Sequence, residues 1–140
     1  MEEESVSNEL SLSESAKANL QTAGKWVYVI SIIGLTVTVF LIVISIYDYI
    51  SLSSWNDVPS GGGVGYLIAI AFGYIIFGAG VFFFFPFFYL FKFSSNLKIA
   101  FRDDDSDALD NSFRYLKLHY MSIGILMLLP ILYFLGIRIF

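Results

Sequence analysis

The chain has 140 residues and a formal net charge of −4; 57% of its residues are hydrophobic, 19% aromatic and only 14% charged. Soluble proteins are typically about 45–50% apolar and about 25% charged, so this composition excludes an ordinary soluble domain and predicts apolar surface that faces lipid. The absence of cysteine excludes disulfides, thiolate metal sites and lipid attachment through a thiol, and the negative net charge predicts no nucleic-acid partner.

Residues 1–24 are predicted to form a cytoplasmic acidic tail followed by a short amphipathic helix. Ser11 and Glu14 have the spacing of a capping box, and apolar residues then recur at helical spacing as far as Val27. We expect this helix to lie in the membrane interface with its apolar stripe in the acyl boundary. The chain opens MEEES rather than with a basic segment close to an apolar one, so no cleavable signal is expected.

Three long stretches without Asp, Glu, Lys, Arg or His predict three transmembrane helices, at 25–50, 64–92 and 119–138. Each is as long as, or longer than, the roughly 20 residues that cross a hydrocarbon core. Residues 51–63, which include Pro59 and three glycines, are predicted to form a short external loop. Within the second span, Pro86 predicts a kink, and the surrounding phenylalanines of VFFFFPFFYLFKF are expected to fill lipid-facing and interhelical space.

Residues 93–118, between the second and third spans, predict an amphipathic helical hairpin on the membrane surface. Apolar residues share one helical face before the acidic turn and again after it. The second arm is expected to continue into the third span, because neither glycine nor proline lies between Asp107 and Gly124. The predicted fold class is therefore an all-α integral membrane protein with three transmembrane helices, an N-terminal interfacial helix and a cytoplasmic amphipathic hairpin.

The acidic turn of this hairpin has part of a calcium-binding pattern. Asp103, Asp105 and Asp107 have the spacing that opens an EF-hand loop, but Ala108 replaces the turn glycine and Arg114 replaces the bidentate glutamate. We expect the turn to end one helix and cap the next, and we expect neither a metal site nor a cofactor. Weak binding of divalent ions stays open.

The basic residues predict the orientation of the chain. Seven of the eight lie on one side of the predicted spans: Lys17, Lys25, Lys92, Lys98, Arg102, Arg114 and Lys117. The positive-inside rule makes that side cytoplasmic, which places the N-terminus inside and the C-terminus outside. The last four are candidate contacts with the interface or a partner. A lipid-headgroup site there is an alternative, although the neighbouring aspartates offset the positive charge.

Catalytic chemistry finds little support in the sequence. His119 is the only histidine and is expected to be a polar tip at the membrane interface. Carboxylate, lysine and arginine side chains inside the spans, which proton relays and coupled transporters normally need, occur only near the span ends. We therefore expect no enzyme activity.

Small residues share one face of each of the first two spans. Such faces let helices approach closely in lipid. The candidate packing residues are Ser31, Gly34, Thr38 and Ser45 in the first span and Gly65, Ala69, Gly73 and Gly80 in the second. We expect the two faces to meet, and the alternative is that one of them faces another protein or a second copy of the chain.

The runs AKANLQTAGKWVYVISIIG at 16–34 and LFKFSSNLKIAFRDDDSDALDNSFRYLKLHYMSIGIL at 90–126 resemble a family of small bacterial inner-membrane proteins of unknown function. The resemblance covers most of the chain beyond the N-terminal tail. It implies the three-span topology and a bacterial inner membrane, with the C-terminus in the periplasm, and it implies no activity.

Two hypotheses for function follow. The favoured one is a non-catalytic membrane scaffold or accessory subunit, whose partners are the lipid bilayer and other membrane proteins or copies of itself. The alternative is a small oligomeric channel or transporter in which Ser31, Thr38 and Ser45 line a polar path.

Overall fold

A computed structural model describes residues 13–53 and 63–139, and in this part of the chain it contains helices and no strands. The helices are α1 (Glu14–Ser53), α2 (Gly63–Asp103) and α3 (Ser106–Ile139). All three are long and apolar enough to cross a membrane. The predictions of an all-helical class and of a multi-pass membrane protein are confirmed at this level. The acidic tail and most of the predicted loop 51–63 lie outside the described residues.

Helix α2 is the central element of the described chain. It packs against both α1 and α3, whereas α1 and α3 make no contact with each other in the ranges described. The positions facing α2 run in the opposite direction along α1, since Gly24 lies against Leu97 and Gly34 lies against Phe87. Helix α1 is thus antiparallel to α2. Helix α3 is antiparallel to α2 as well, because only two residues separate them and α3 packs back against α2.

The helices are longer than the predicted spans. With 40, 41 and 34 residues at about 1.5 Å per residue, they are about 60, 60 and 50 Å long, against about 30 Å of hydrocarbon. The predicted interfacial helix is the beginning of α1. The first hairpin arm continues α2 rather than forming a separate helix, and the second arm runs into the third span, as predicted. We call the end formed by residues 14–25, 92–103 and 106–118 the hairpin end.

The second span was expected to stop at Lys92, but α2 continues to Asp103. The charge of Lys92 indicates where the apolar stretch ends, and it does not interrupt a helix. Asn96 Nδ2 donates a hydrogen bond to the Lys92 carbonyl at 2.8 Å, and Ser94 Oγ donates to the Phe91 carbonyl at 3.0 Å. No glycine or proline lies in this stretch, so the helix ends only at the acidic turn.

The acidic turn ends α2 and caps α3, as predicted. Asp104 adopts the left-handed conformation with φ 51°, and the Asp105 amide donates to the Ala100 carbonyl at 3.1 Å. This is the hydrogen bond of a Schellman motif, with aspartate at the position that glycine usually takes. Asp105 Oδ1 then accepts from the amides of Asp107 (2.9 Å) and Ala108 (3.1 Å), which is the N-cap arrangement.

The well-buried apolar side chains lie at the hairpin end and not in the apolar spans. Phe93, Leu97, Ala100 and Ala108 are at most 6% exposed. In the apolar stretches, the buried positions are proline, glycine, serine and threonine. This division has a physical reason: water drives apolar burial where the helices leave the bilayer, whereas lipid supplies no such drive and close backbone packing takes over.

Candidate functional site

The packing contact between α1 and α2, which we call the α1–α2 seam, includes Gly34, Thr38 and Ile42 of α1 and Gly80 and Phe87 of α2. A methyl group at Gly80 would lie 2.8 Å from Ile42 Cγ1 and 3.3 Å from the Thr38 carbonyl oxygen. A methyl group at Gly34 would overlap the Phe87 ring. These two glycines allow the helices to approach this closely, and a larger residue at either position would push the helices apart.

All four candidate residues of the first span lie in this seam or next to it. Ser31, Gly34, Thr38 and Ser45 are the buried positions of α1 within its apolar stretch. The three side chains with a hydroxyl are 0%, 2% and 4% exposed. The structure therefore brings the whole predicted face of the first span against α2.

The hydroxyl groups of this face are satisfied within their own helix. Ser31 Oγ donates to the Tyr28 carbonyl at 2.7 Å, Thr38 Oγ1 to the Leu35 carbonyl at 2.9 Å, and Ser45 Oγ to the Leu41 carbonyl at 2.7 Å. A hydroxyl that bonds the preceding turn of its helix is suited to tight packing, because it leaves no donor that needs a partner across the interface.

Only part of the predicted small-residue face of α2 packs against α1. Of the three glycines, Gly80 is buried in the seam, whereas Gly65 is exposed and neither Gly65 nor Gly73 has an atom within 4 Å of an added methyl. Ala69 is half-buried. Beyond the close contact, the helices leave a groove of about 230 Å³ that Ser45 and Gly73 help to line. The set Gly65, Ala69, Gly73 and Gly80 is thus only partly brought to α1.

A hydrogen bond between His119 and Pro86 joins α3 to α2. His119 Nδ1 lies 2.9 Å from the Pro86 carbonyl oxygen. Because a carbonyl only accepts, Nδ1 carries the proton. The sequence suggested an interfacial tip for His119 and could not indicate this partner, which is 33 residues away. The only signal is the presence of the sole histidine at the edge of an apolar span.

The four candidate basic residues are all exposed, and they separate into two groups. Lys98 and Arg102 of α2 border a groove between α1 and α2, while Arg114 and Lys117 belong to α3 and do not line it. Arg102 Nε and Nη2 donate to Asp103 Oδ1 and Oδ2 at 2.8 and 2.7 Å. This bidentate hydrogen bond, and the opposite charge that comes with it, lowers the pKa of Asp103 and raises the pKa of Arg102.

In the described part of the chain, no group of three or more histidine, aspartate or glutamate side chains is arranged to hold a metal ion. Comparison with protein families, with curated proteins and with solved structures gives no match for this chain.

Proposed function

We propose that this protein is a non-catalytic scaffold or accessory subunit of the bacterial inner membrane that acts by helix packing. Its N-terminus would be cytoplasmic and its C-terminus periplasmic, with the hairpin end as the cytoplasmic contact. The excess of Lys and Arg at the hairpin end supports this orientation of the chain in the membrane.

The observation that carries the proposal is the unpartnered apolar half of α3. Every residue from Met127 to Leu135 is exposed, with the large apolar side chains 47% to 70% accessible. In contrast, α1 has its small-residue face fully occupied by α2. Because α1 uses its small-residue face within the chain, we take the uncovered half of α3 as the surface for contact with other membrane proteins or with a second copy, in place of lipid.

The channel alternative receives no support from the described chain. Its polar path would need the hydroxyls of Ser31, Thr38 and Ser45, and each of them is buried and donates to a carbonyl of α1. A pore would instead require a row of hydroxyl groups that are exposed to water.

The substitution Thr38→Leu tests the two functions against each other. Because Thr38 is 2% exposed in the seam, leucine should disrupt the packing of α1 against α2 within the chain, and through it the arrangement of helices on which assembly depends. The matched control is Thr36→Leu, since Thr36 is exposed on the same helix and also bonds its own backbone at 2.9 Å.

The measurement combines size-exclusion chromatography of the detergent-solubilised assembly with ion and solute flux in proteoliposomes. We expect Thr38→Leu to lose assembly, Thr36→Leu to retain it, and the wild-type chain alone to produce no specific flux. A specific flux that Thr38→Leu abolishes while assembly stays intact would establish a pore and contradict the proposal.

A further inference from the structure

A groove of about 490 Å³ opens between α1 and α2 at the hairpin end. Tyr28 and Val29 of α1 and Leu97 and Phe101 of α2 form most of its apolar lining. Gly24 sets the approach of the two helices there, because a methyl group on it would lie 2.7 Å from Leu97 Cδ2. The groove is therefore built by the helix pair and is not a gap between loose side chains.

Two unpaired lysines flank this groove. Lys25 follows Gly24 on α1 and Lys98 follows Leu97 on α2, so the contact between Gly24 and Leu97 places one lysine on each wall. Both are exposed, and neither takes part in the ion pairs of the described residues, which are Lys17 with Glu14 and Arg102 with Asp103. The groove therefore carries a positive charge on each wall that no ion pair in the described chain neutralises, which suits an anionic ligand.

The groove also lies at the depth where an apolar span meets charged residues. Lys25 directly precedes the stretch of α1 without Asp, Glu, Lys, Arg or His, and Trp26, which begins that stretch, is 67% exposed. On α2, Lys92 ends the corresponding apolar stretch, with Nζ 5.7 Å from the centre of the Phe88 ring. Tryptophan and lysine at the ends of a span are typical of the headgroup level of a bilayer.

We propose that this groove binds one anionic phospholipid. The phosphate group lies between Lys25 and Lys98, and an acyl chain runs along Tyr28 and Val29 toward the span. Arg102 contributes less, because Asp103 already holds its guanidinium in a bidentate pair. The proposal is independent of the scaffold function, since a channel or an accessory subunit would carry the same groove.

The test is native mass spectrometry of the full chain in detergent micelles, titrated with phosphatidylglycerol or with phosphatidylcholine of the same acyl composition. We expect one bound phosphatidylglycerol per chain and an affinity on the order of 10-fold or more above phosphatidylcholine. Lys25→Gln combined with Lys98→Gln should remove this preference, and a conservative Lys98→Arg variant should retain it.

The control combines Arg114→Gln with Lys117→Gln, which removes the same charge from exposed basic residues that do not line the groove. An equal loss of binding in both double variants would show a general effect of charge and overturn the proposal, as would the absence of any preference for phosphatidylglycerol.

Two further measurements test whether binding occurs in this groove rather than elsewhere on the chain, and whether the ligand is a lipid rather than free phosphate. Val29→Trp should fill the groove and block the lipid while both lysines stay intact. Because Val29 is 48% exposed, the larger ring should not disturb the packing of α1 against α2. Millimolar inorganic phosphate should leave the lipid bound. Undiminished lipid binding by the tryptophan variant, or displacement by phosphate alone, would contradict a lipid site in this groove.

Discussion

Gly80→Ala tests the packing of the α1–α2 seam with a single methyl group. The added carbon would lie 2.8 Å from Ile42 Cγ1, 3.3 Å from the Thr38 carbonyl oxygen and 3.4 Å from the Ile42 amide nitrogen. Two of these atoms are backbone, and the third is a γ carbon of a β-branched side chain whose χ1 is restricted in a helix. The contact is therefore relieved mainly by separation of the two helices. Such overpacking costs about 1–3 kcal/mol, and the higher helix propensity of alanine returns up to about 1 kcal/mol. We therefore expect a net loss of up to about 3 kcal/mol, and a difference of about 1–3 kcal/mol from a glycine-to-alanine variant that gains the same helix propensity without the contact.

The control is Gly78→Ala, on the same helix, where an added methyl meets no atom within 4 Å. It should be neutral or stabilising by up to about 1 kcal/mol. Because the chain has no cysteine, cysteines introduced at the exposed Val43 and Ile75 can carry a donor and acceptor dye. Energy transfer between them during unfolding in mixed micelles reports separation of α1 from α2. If the free energies of unfolding of Gly80→Ala and Gly78→Ala agree within about 0.5 kcal/mol, the close contact at Gly80 in the α1–α2 seam is refuted.

Three other predictions concern the hairpin end and its neighbourhood. His119→Phe removes the hydrogen bond to Pro86, and should destabilise the contact of α2 with α3 by about 0.5–1.5 kcal/mol in the same unfolding assay, with dyes placed on those two helices. Asp104→Gly should raise the free energy of unfolding by about 1 kcal/mol, because glycine adopts the left-handed conformation at φ 51° without strain; a lower value would contradict the Schellman turn. Arg102→Gln should return the lowered pKa of Asp103 toward its usual range near about 3.9, as measured by carboxyl NMR titration. Since that pKa is depressed in the folded chain, the stabilisation from the pair is present above about pH 4 and is lost as the pH falls through the lowered pKa; an unchanged pKa in the variant would argue against the pair.

The sequence was sufficient for the spans and for the packing face of α1. Ser31, Gly34, Thr38 and Ser45 recur at helical spacing within a stretch that contains no charge, and a straight helix then puts them on one side. The partner positions on α2 could not be predicted in the same way. Glycines recur along most of the first half of α2. Which of them contacts α1 depends on where the two helix axes cross, and the spacing of residues in the sequence does not determine that point.

The ends of the helices were harder to predict, for a different reason. A lysine such as Lys92 indicates where a span meets the headgroups, but the backbone hydrogen bonds continue past it until Asp104 takes the left-handed conformation. Charge thus predicts the position of the bilayer, while capping predicts the ends of the helix. The bond between His119 and Pro86 was missed because it depends on the register of α3 against α2.

We propose that another protein chain covers the exposed apolar half of α3. The most direct measurement places a photoreactive amino acid at Phe134, which is 70% exposed, in a tagged chain expressed at its native level, and identifies the cross-linked products by mass spectrometry. We expect a discrete protein adduct in high yield, either a membrane protein in fixed stoichiometry or a second copy of this chain. Lipid adducts alone, at Phe134 and at each other position from Met127 to Leu135, would contradict it.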